Sequence, residues 1–146
     1  MSHTCDACVI TCEDFRLHRR SNGSDVIGEF IASIGCDCDL ITRAGAVQDI
    51  VRPEEGFGFD KSLLRDIRVS VDLHQARTIY LINHDDCGAY GSLAFDSKEA
   101  ELARHNDDLE RAAEILEGHF PGVRVVKMLA ILEPGSDDRY VLGLGQ

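Results

Sequence analysis

The chain has 146 residues, 44% hydrophobic and 28% charged, with a formal net charge of -11. This length suits one domain spanning 1–146 that buries a core without disulfide or metal staples. No apolar run approaches the roughly 18 residues a membrane helix needs, and the acidic balance repels a phosphate backbone, so neither membrane nor nucleic acid is expected as a partner.

The opening Met1-Ser2-His3-Thr4-Cys5-Asp6 lacks a basic stretch followed by an apolar one, which points to a cytoplasmic protein. In a reducing compartment its six cysteines are better read as thiols, metal ligands or redox groups than as disulfides. Arg16, Arg19 and Arg20 make a local basic cluster able to attract a small anion or to face solvent.

Residues 7–11 (ACVIT) are a short β-branched run suited to a strand buried on both faces. Ser24 is placed to cap a helix whose Ile27, Phe30, Ile31 and Ile34 recur at three- and four-residue steps, with Gly35 as its stop. A second strand is expected over 38–42 (CDLIT), then a loop through Gly58. Asp60 opens a helix with Leu63, Leu64, Ile67 and Val71 on one stripe. Residues 78–83 (TIYLIN) form the clearest strand and deliver His84. Asp96 with Glu99 resembles a capping pair for a helix that buries Leu102, Leu109, Ala113 and Leu116. A fourth strand lies within 123–132 and a short fifth over 140–144.

This alternation predicts an α/β fold: an open, doubly wound, mostly parallel sheet of four or five strands in the order 2-1-3-4, with helices on both faces. In that order the first and third strands are neighbours whose connections leave to opposite faces, opening a crevice at their carboxyl ends. Cys12-Glu13-Asp14-Phe15-Arg16 and His84-Asp85-Asp86-Cys87-Gly88 both fall there. Singly, Cys12 and Cys87 read as buried thiols and His84 as a loop histidine. Together at one sheet edge, two thiolates and an imidazole make a zinc set with one tetrahedral position left over.

Cys12, Asp14 and Arg16 in the pattern Cys-x-Asp-x-Arg, followed by His84, Cys87 and Gly88 in His-x-x-Cys-Gly, resemble the zinc signature of β-class carbonic anhydrases. The resemblance covers roughly residues 7–92. It implies Zn2+ on Cys12, His84 and Cys87, with Asp14 and Arg16 as the catalytic pair: the arginine holds the aspartate off the metal, or the aspartate closes the site as a fourth ligand. The implied reaction is attack of zinc-bound hydroxide on carbon dioxide to give bicarbonate. Gly88, Ala44 and Gly45 would line the substrate site, although Thr42-Arg43 stands where many members carry Arg-Asn. Family members pair at a sheet edge, so a homodimer is expected; with eleven residues before Cys12, the helical arm that clasps family dimers is expected to be absent. The same fold and metal would also serve hydrolysis of carbonyl sulfide or carbon disulfide, or a non-catalytic zinc module with Asp14 on the metal.

Outside this set, His18 and Tyr90 are candidate lining residues, and Asp85 and Asp86 are expected to cap their turn or face solvent, with contact of one of them to the catalytic water or a neighbouring zinc ligand as the alternative. His74, His105 and His119 read as surface or core histidines. Cys5-x-x-Cys8 is read first as a frayed pair of thiols, with a redox pair or a second metal site shared with His3 as the alternatives. Cys36 and Cys38 flank a helix-to-strand turn and carry no assigned role.

Overall fold

A computed structural model describes residues 3–145, apart from the side chain of Leu93. Five strands, β1 (Ala7–Thr11), β2 (Cys38–Thr42), β3 (Thr78–His84), β4 (Arg124–Leu132) and β5 (Tyr140–Leu144), form one sheet in the order β2-β1-β3-β4-β5. The first four are mutually parallel, and β5 adds antiparallel to β4. The expected order is thereby extended by one antiparallel edge strand.

β1 is buried at all five positions, because its two faces serve two different cores. Cys8 and Ile10 pack with Leu63, Ile67, Ile79, Leu81, Leu109 and Leu116 on one face. Val9 packs with Ile27, Ile82, Met128 and Ala130 on the other. Helix α1 (Val26–Ile34) covers the second face, whereas α2 (Gln48–Val51), α3 (Phe59–Arg68) and α4 (Lys98–His119) cover the first. Each fully buried Leu or Ile contributes about 1.5–3 kcal/mol over its exposed state, so these two layers supply the main drive to fold.

Local chemistry sets the helix ends. Asp25, not Ser24, caps α1 by accepting from the Gly28 amide, and Ser24 instead bonds to Asn22. Gly35 ends the helix in the left-handed conformation that costs it no Cβ clash. Ser97, rather than Asp96, caps α4 through the Ala100 amide. Helix α3 begins one residue before Asp60, after Gly58, and its apolar stripe runs on into a π-helical turn at Val69–Leu73. The loop expected through Gly58 contains the one-turn helix α2, too short for periodicity to reveal.

α1 follows β1 on one face, and α4 follows β3 on the other. The crevice at the carboxyl ends of this adjacent pair is therefore a topological switch point.

Candidate metal centre

Cys12 directly follows β1, His84 is the last residue of β3, and Thr11 of β1 pairs with Ile82 of β3. This register carries the two ends of the sequence pattern to one place. Cys87 returns to it because Asp86 turns the chain at a φ of 54°, an uncommon conformation for a residue with a Cβ. Three contacts hold that turn: the Asp86 amide donates to Glu101, and its carboxylate accepts from Arg16 and from the Ser92 hydroxyl.

The sulfurs of Cys12 and Cys87 and a ring nitrogen of His84 lie within 4.8 Å of one another, all three residues buried. Nδ1 of His84 stands 2.8 Å from the Asp85 carbonyl and 3.0 Å from the Tyr140 hydroxyl. These partners place the proton on Nδ1 and leave the Nε2 lone pair free. Nε2 is buried without a hydrogen-bond partner, a cost that a metal bond would offset. The donor set and this orphaned atom fit a zinc ion.

The two thiols differ in character. The Cys87 thiol as hydrogen-bond donor, then His84 and the Gly45 amide, outweigh burial and hold Cys12 well below the ordinary thiol range, while the Cys12 thiolate and burial push Cys87 up. The Gly45 amide lies 3.4 Å from the Cys12 sulfur. Gly45 has a φ of 78°, a left-handed conformation that side chains rarely adopt, so glycine suits the turn that brings this amide to the sulfur.

Arg16 Nε and Nη2 donate to the two oxygens of Asp14 at 3.1 and 2.7 Å. The remaining guanidinium hydrogens go to the Asp86 carboxylate at 2.9 Å, the Asp86 carbonyl at 3.0 Å and the Asp137 carbonyl at 2.9 Å. All five N–H donors are thus engaged, with the guanidinium also over the Tyr140 ring. Desolvation raises the Asp14 pKa, but the hydrogen bonds and charge of Arg16 outweigh it and hold the carboxyl below its usual range. Asp14 Oδ2 lies 3.9 Å from Nε2 of His84, at the edge of the space the ligands enclose.

Of the other expected residues, Ala44 and Gly88 are exposed beside the buried Gly45 and Cys87. His18 binds back to the Cys12 carbonyl at 2.7 Å, bracing the loop. Tyr90 packs against the cluster that contains Cys12 and Cys87, with its hydroxyl donating to Asp108 and accepting from Asn83. Asp85 corrects the expectation of a turn cap or solvent-facing carboxylate: it is 1% exposed, accepting from the Leu132 amide and pairing with Lys98, and so ties the loop to β4 and α4. Tyr140 and the Asp137 carbonyl join the site without any local sequence signal. A Pro134-Gly135 turn, closed by Ser136 accepting from the Asp138 and Arg139 amides, folds β5 back and delivers both from the far end of the chain.

A family model described as "Putative carbonic anhydrase" matches residues 2–131. The chain belongs to that family. Among curated proteins, this carbonic anhydrase-family chain is 29% identical over 138 residues to an uncharacterized protein of Rickettsia bellii, covering 90% of this chain and 80% of the relative. An uncharacterized protein of Rickettsia conorii is 27% identical over 138 residues, covering 90% and 70%. Solved structures share the fold at low identity. A carbonic anhydrase from Streptococcus mutans matches with TM-score 0.57 and 13% identity, covering 99% of this chain and 84% of that one. One from Glaciozyma antarctica matches with TM-score 0.56 and 17% identity, covering 97% and 83%. No helix among the described residues is long and apolar enough to cross a membrane.

Proposed function

We propose that this chain is a zinc-dependent lyase hydrating carbon dioxide to bicarbonate, with Cys12, His84 and Cys87 holding the metal. The observation that carries the reading is the hold of Arg16 on both oxygens of Asp14, only 3.9 Å from the orphaned His84 nitrogen. A zinc ion bound there would supply a water acidified toward neutral pH as the nucleophile.

The chain's own residues then divide the work. Arg16 keeps Asp14 ionised and turned away from a ligand's place, since leaving would break a bidentate, charge-assisted pair. Asp14 remains an acceptor able to orient a water and take its hydrogen bond. The Asp85 carbonyl and Tyr140 hydroxyl fix the His84 tautomer, and the Gly45 amide stabilises the Cys12 thiolate. Ala44, Gly45 and Gly88 would border a small substrate at the rim. A homodimeric, cytoplasmic protein is part of the same proposal.

Stopped-flow carbon dioxide hydration by wild type and Arg16→Ala, with zinc measured in the same samples, tests it. Arg16→Ala should keep its zinc and lose hydration, because the freed Asp14 can take the fourth position. Equal rates in the two proteins would overturn the role of the pair, and zinc-loaded wild type inactive at every pH would overturn the reaction.

A further inference from the structure

At the opposite, amino-terminal edge of the sheet, a second group of metal-capable side chains converges. Cys5 comes from the segment entering β1, Asp39 from β2, and His74 from the turn between Val69–Leu73 and β3. Their ligand atoms lie within 4.8 Å of one another, and all three residues are partly buried. Oδ2 of Asp39 stands 3.5 Å from the Cys5 sulfur and 2.6 Å from Nδ1 of His74. Ligand atoms about 2.0–2.3 Å from a tetrahedral zinc stand roughly 3.3–3.7 Å apart, so the group needs only a small opening on the histidine side to hold one.

The backbone already fixes this geometry. The Cys5 amide donates to the His74 carbonyl at 2.9 Å, the Asp6 amide to the Asp37 carbonyl at 3.0 Å, and the Arg77 amide to the Asp6 carbonyl at 3.1 Å. The entering segment is thus stitched to the start of both neighbouring strands. Two further groups complete the surroundings. The Ser70 hydroxyl, 1% exposed and without a hydrogen-bond partner, is near enough to influence the Cys5 and Cys8 thiols and the Asp39 carboxylate. It is suited to support a coordinated thiolate or carboxylate from behind. The exposed His3 ring lies 4.8 Å from that of His74 and offers a fourth nitrogen donor.

We infer that Cys5, Asp39 and His74 form a second site for a zinc-class divalent cation, separate from the Cys12, His84 and Cys87 centre and serving to clamp the entering segment onto β2 and the turn before β3. Mixed sulfur, nitrogen and carboxylate donors suit zinc rather than magnesium or calcium, which prefer oxygen. The assignment replaces Cys8 as the partner of Cys5, because Cys8 is fully buried in the core on β1.

The test counts zinc. Metal-stripped protein is titrated with Zn2+ against a chromophoric chelator, using wild type, Cys5→Ser, Asp39→Asn and a Cys12→Ser/Cys87→Ser background. Wild type should take up two zinc ions, each single variant one, and the background one. Cobalt substitution of that background should give a thiolate-to-metal charge-transfer band that disappears on adding Cys5→Ser. One equivalent in wild type that persists in Cys5→Ser, or two in both Cys5→Ser and Asp39→Asn, overturns the site. These two counts are read on proteins whose other centre is intact, so they do not depend on the folding of the double variant.

Discussion

The Tyr140 hydroxyl lies 3.0 Å from Nδ1 of His84 while donating to the same Asp85 carbonyl that the ring nitrogen faces at 2.8 Å. The tyrosine ring also stands edge-on to the imidazole, with centroids 5.4 Å apart. One residue therefore restrains the histidine in position and in tautomer. Tyr140→Phe keeps the packing and removes the hydroxyl, so zinc affinity should fall about 10-fold with the far-ultraviolet circular dichroism unchanged. Competition with a chelator of known affinity measures this, and an unchanged zinc affinity would assign Tyr140 to packing alone.

Cys87→Ser should release most of the zinc from the Cys12 and His84 centre, since it replaces a thiolate by a weakly coordinating hydroxyl. In the Cys5→Ser protein, which isolates this centre, full zinc retention after adding Cys87→Ser would remove Cys87 from the ligand set.

Asp85 joins three elements through one buried carboxylate. Asp85→Ala would strand the Leu132 amide and remove the Lys98 partner, for a predicted loss of about 1–3 kcal/mol. Urea unfolding of the two proteins gives the difference. Solvent-facing Asp138→Ala, a salt-bridge partner of Arg20, should cost far less.

Much of this arrangement is legible in the amino-acid sequence, and the reason is periodicity. β1 and β3 announce themselves as β-branched runs, the first followed directly by Cys12 and the second ending on His84, so the expected strand order brings the two together. What escapes is set by single hydrogen bonds or by distance along the chain. Nothing near residue 84 signals that Tyr140, placed by a Pro134-Gly135 turn, will reach His84. Asp25 and Ser97 each take the capping role from a neighbour equally able in type. Asp85 is read as a turn cap or a solvent-facing carboxylate because carboxylates usually are, and its burial depends on a strand end and a lysine that local pattern cannot supply. The Cys5 cluster is missed for the same reason: its partners are Asp39 and His74, more than thirty residues away, rather than the nearby Cys8.

His105 links the buried interior to acid stability. It is fully buried on α4, with Nδ1 3.1 Å from the Asn83 amide, its ring tilted against Tyr90, and Nε2 unpartnered. Burial, the main cause, pushes its pKa down to about 4, with nearby Asp108 and Asp85 opposing only in part. The unfolded chain takes up the proton near 6.5, whereas the folded protein resists it until about pH 4. Between these values the unfolded state binds more protons, so stability rises with pH. The contribution is fully present above about 6.5 and is lost as pH falls toward 4, about 3 kcal/mol in all and about 2 kcal/mol between pH 7 and 5. His105→Gln cannot titrate and should lose this part of the slope while keeping a polar contact to Asn83. Urea midpoints at pH 7, 6 and 5 for both proteins, freed of metal so that acid release of zinc does not contribute, should converge as the pH drops. Parallel lines would show that His105 is protonated at no cost in the folded protein, and the acid sensitivity would then belong to other groups.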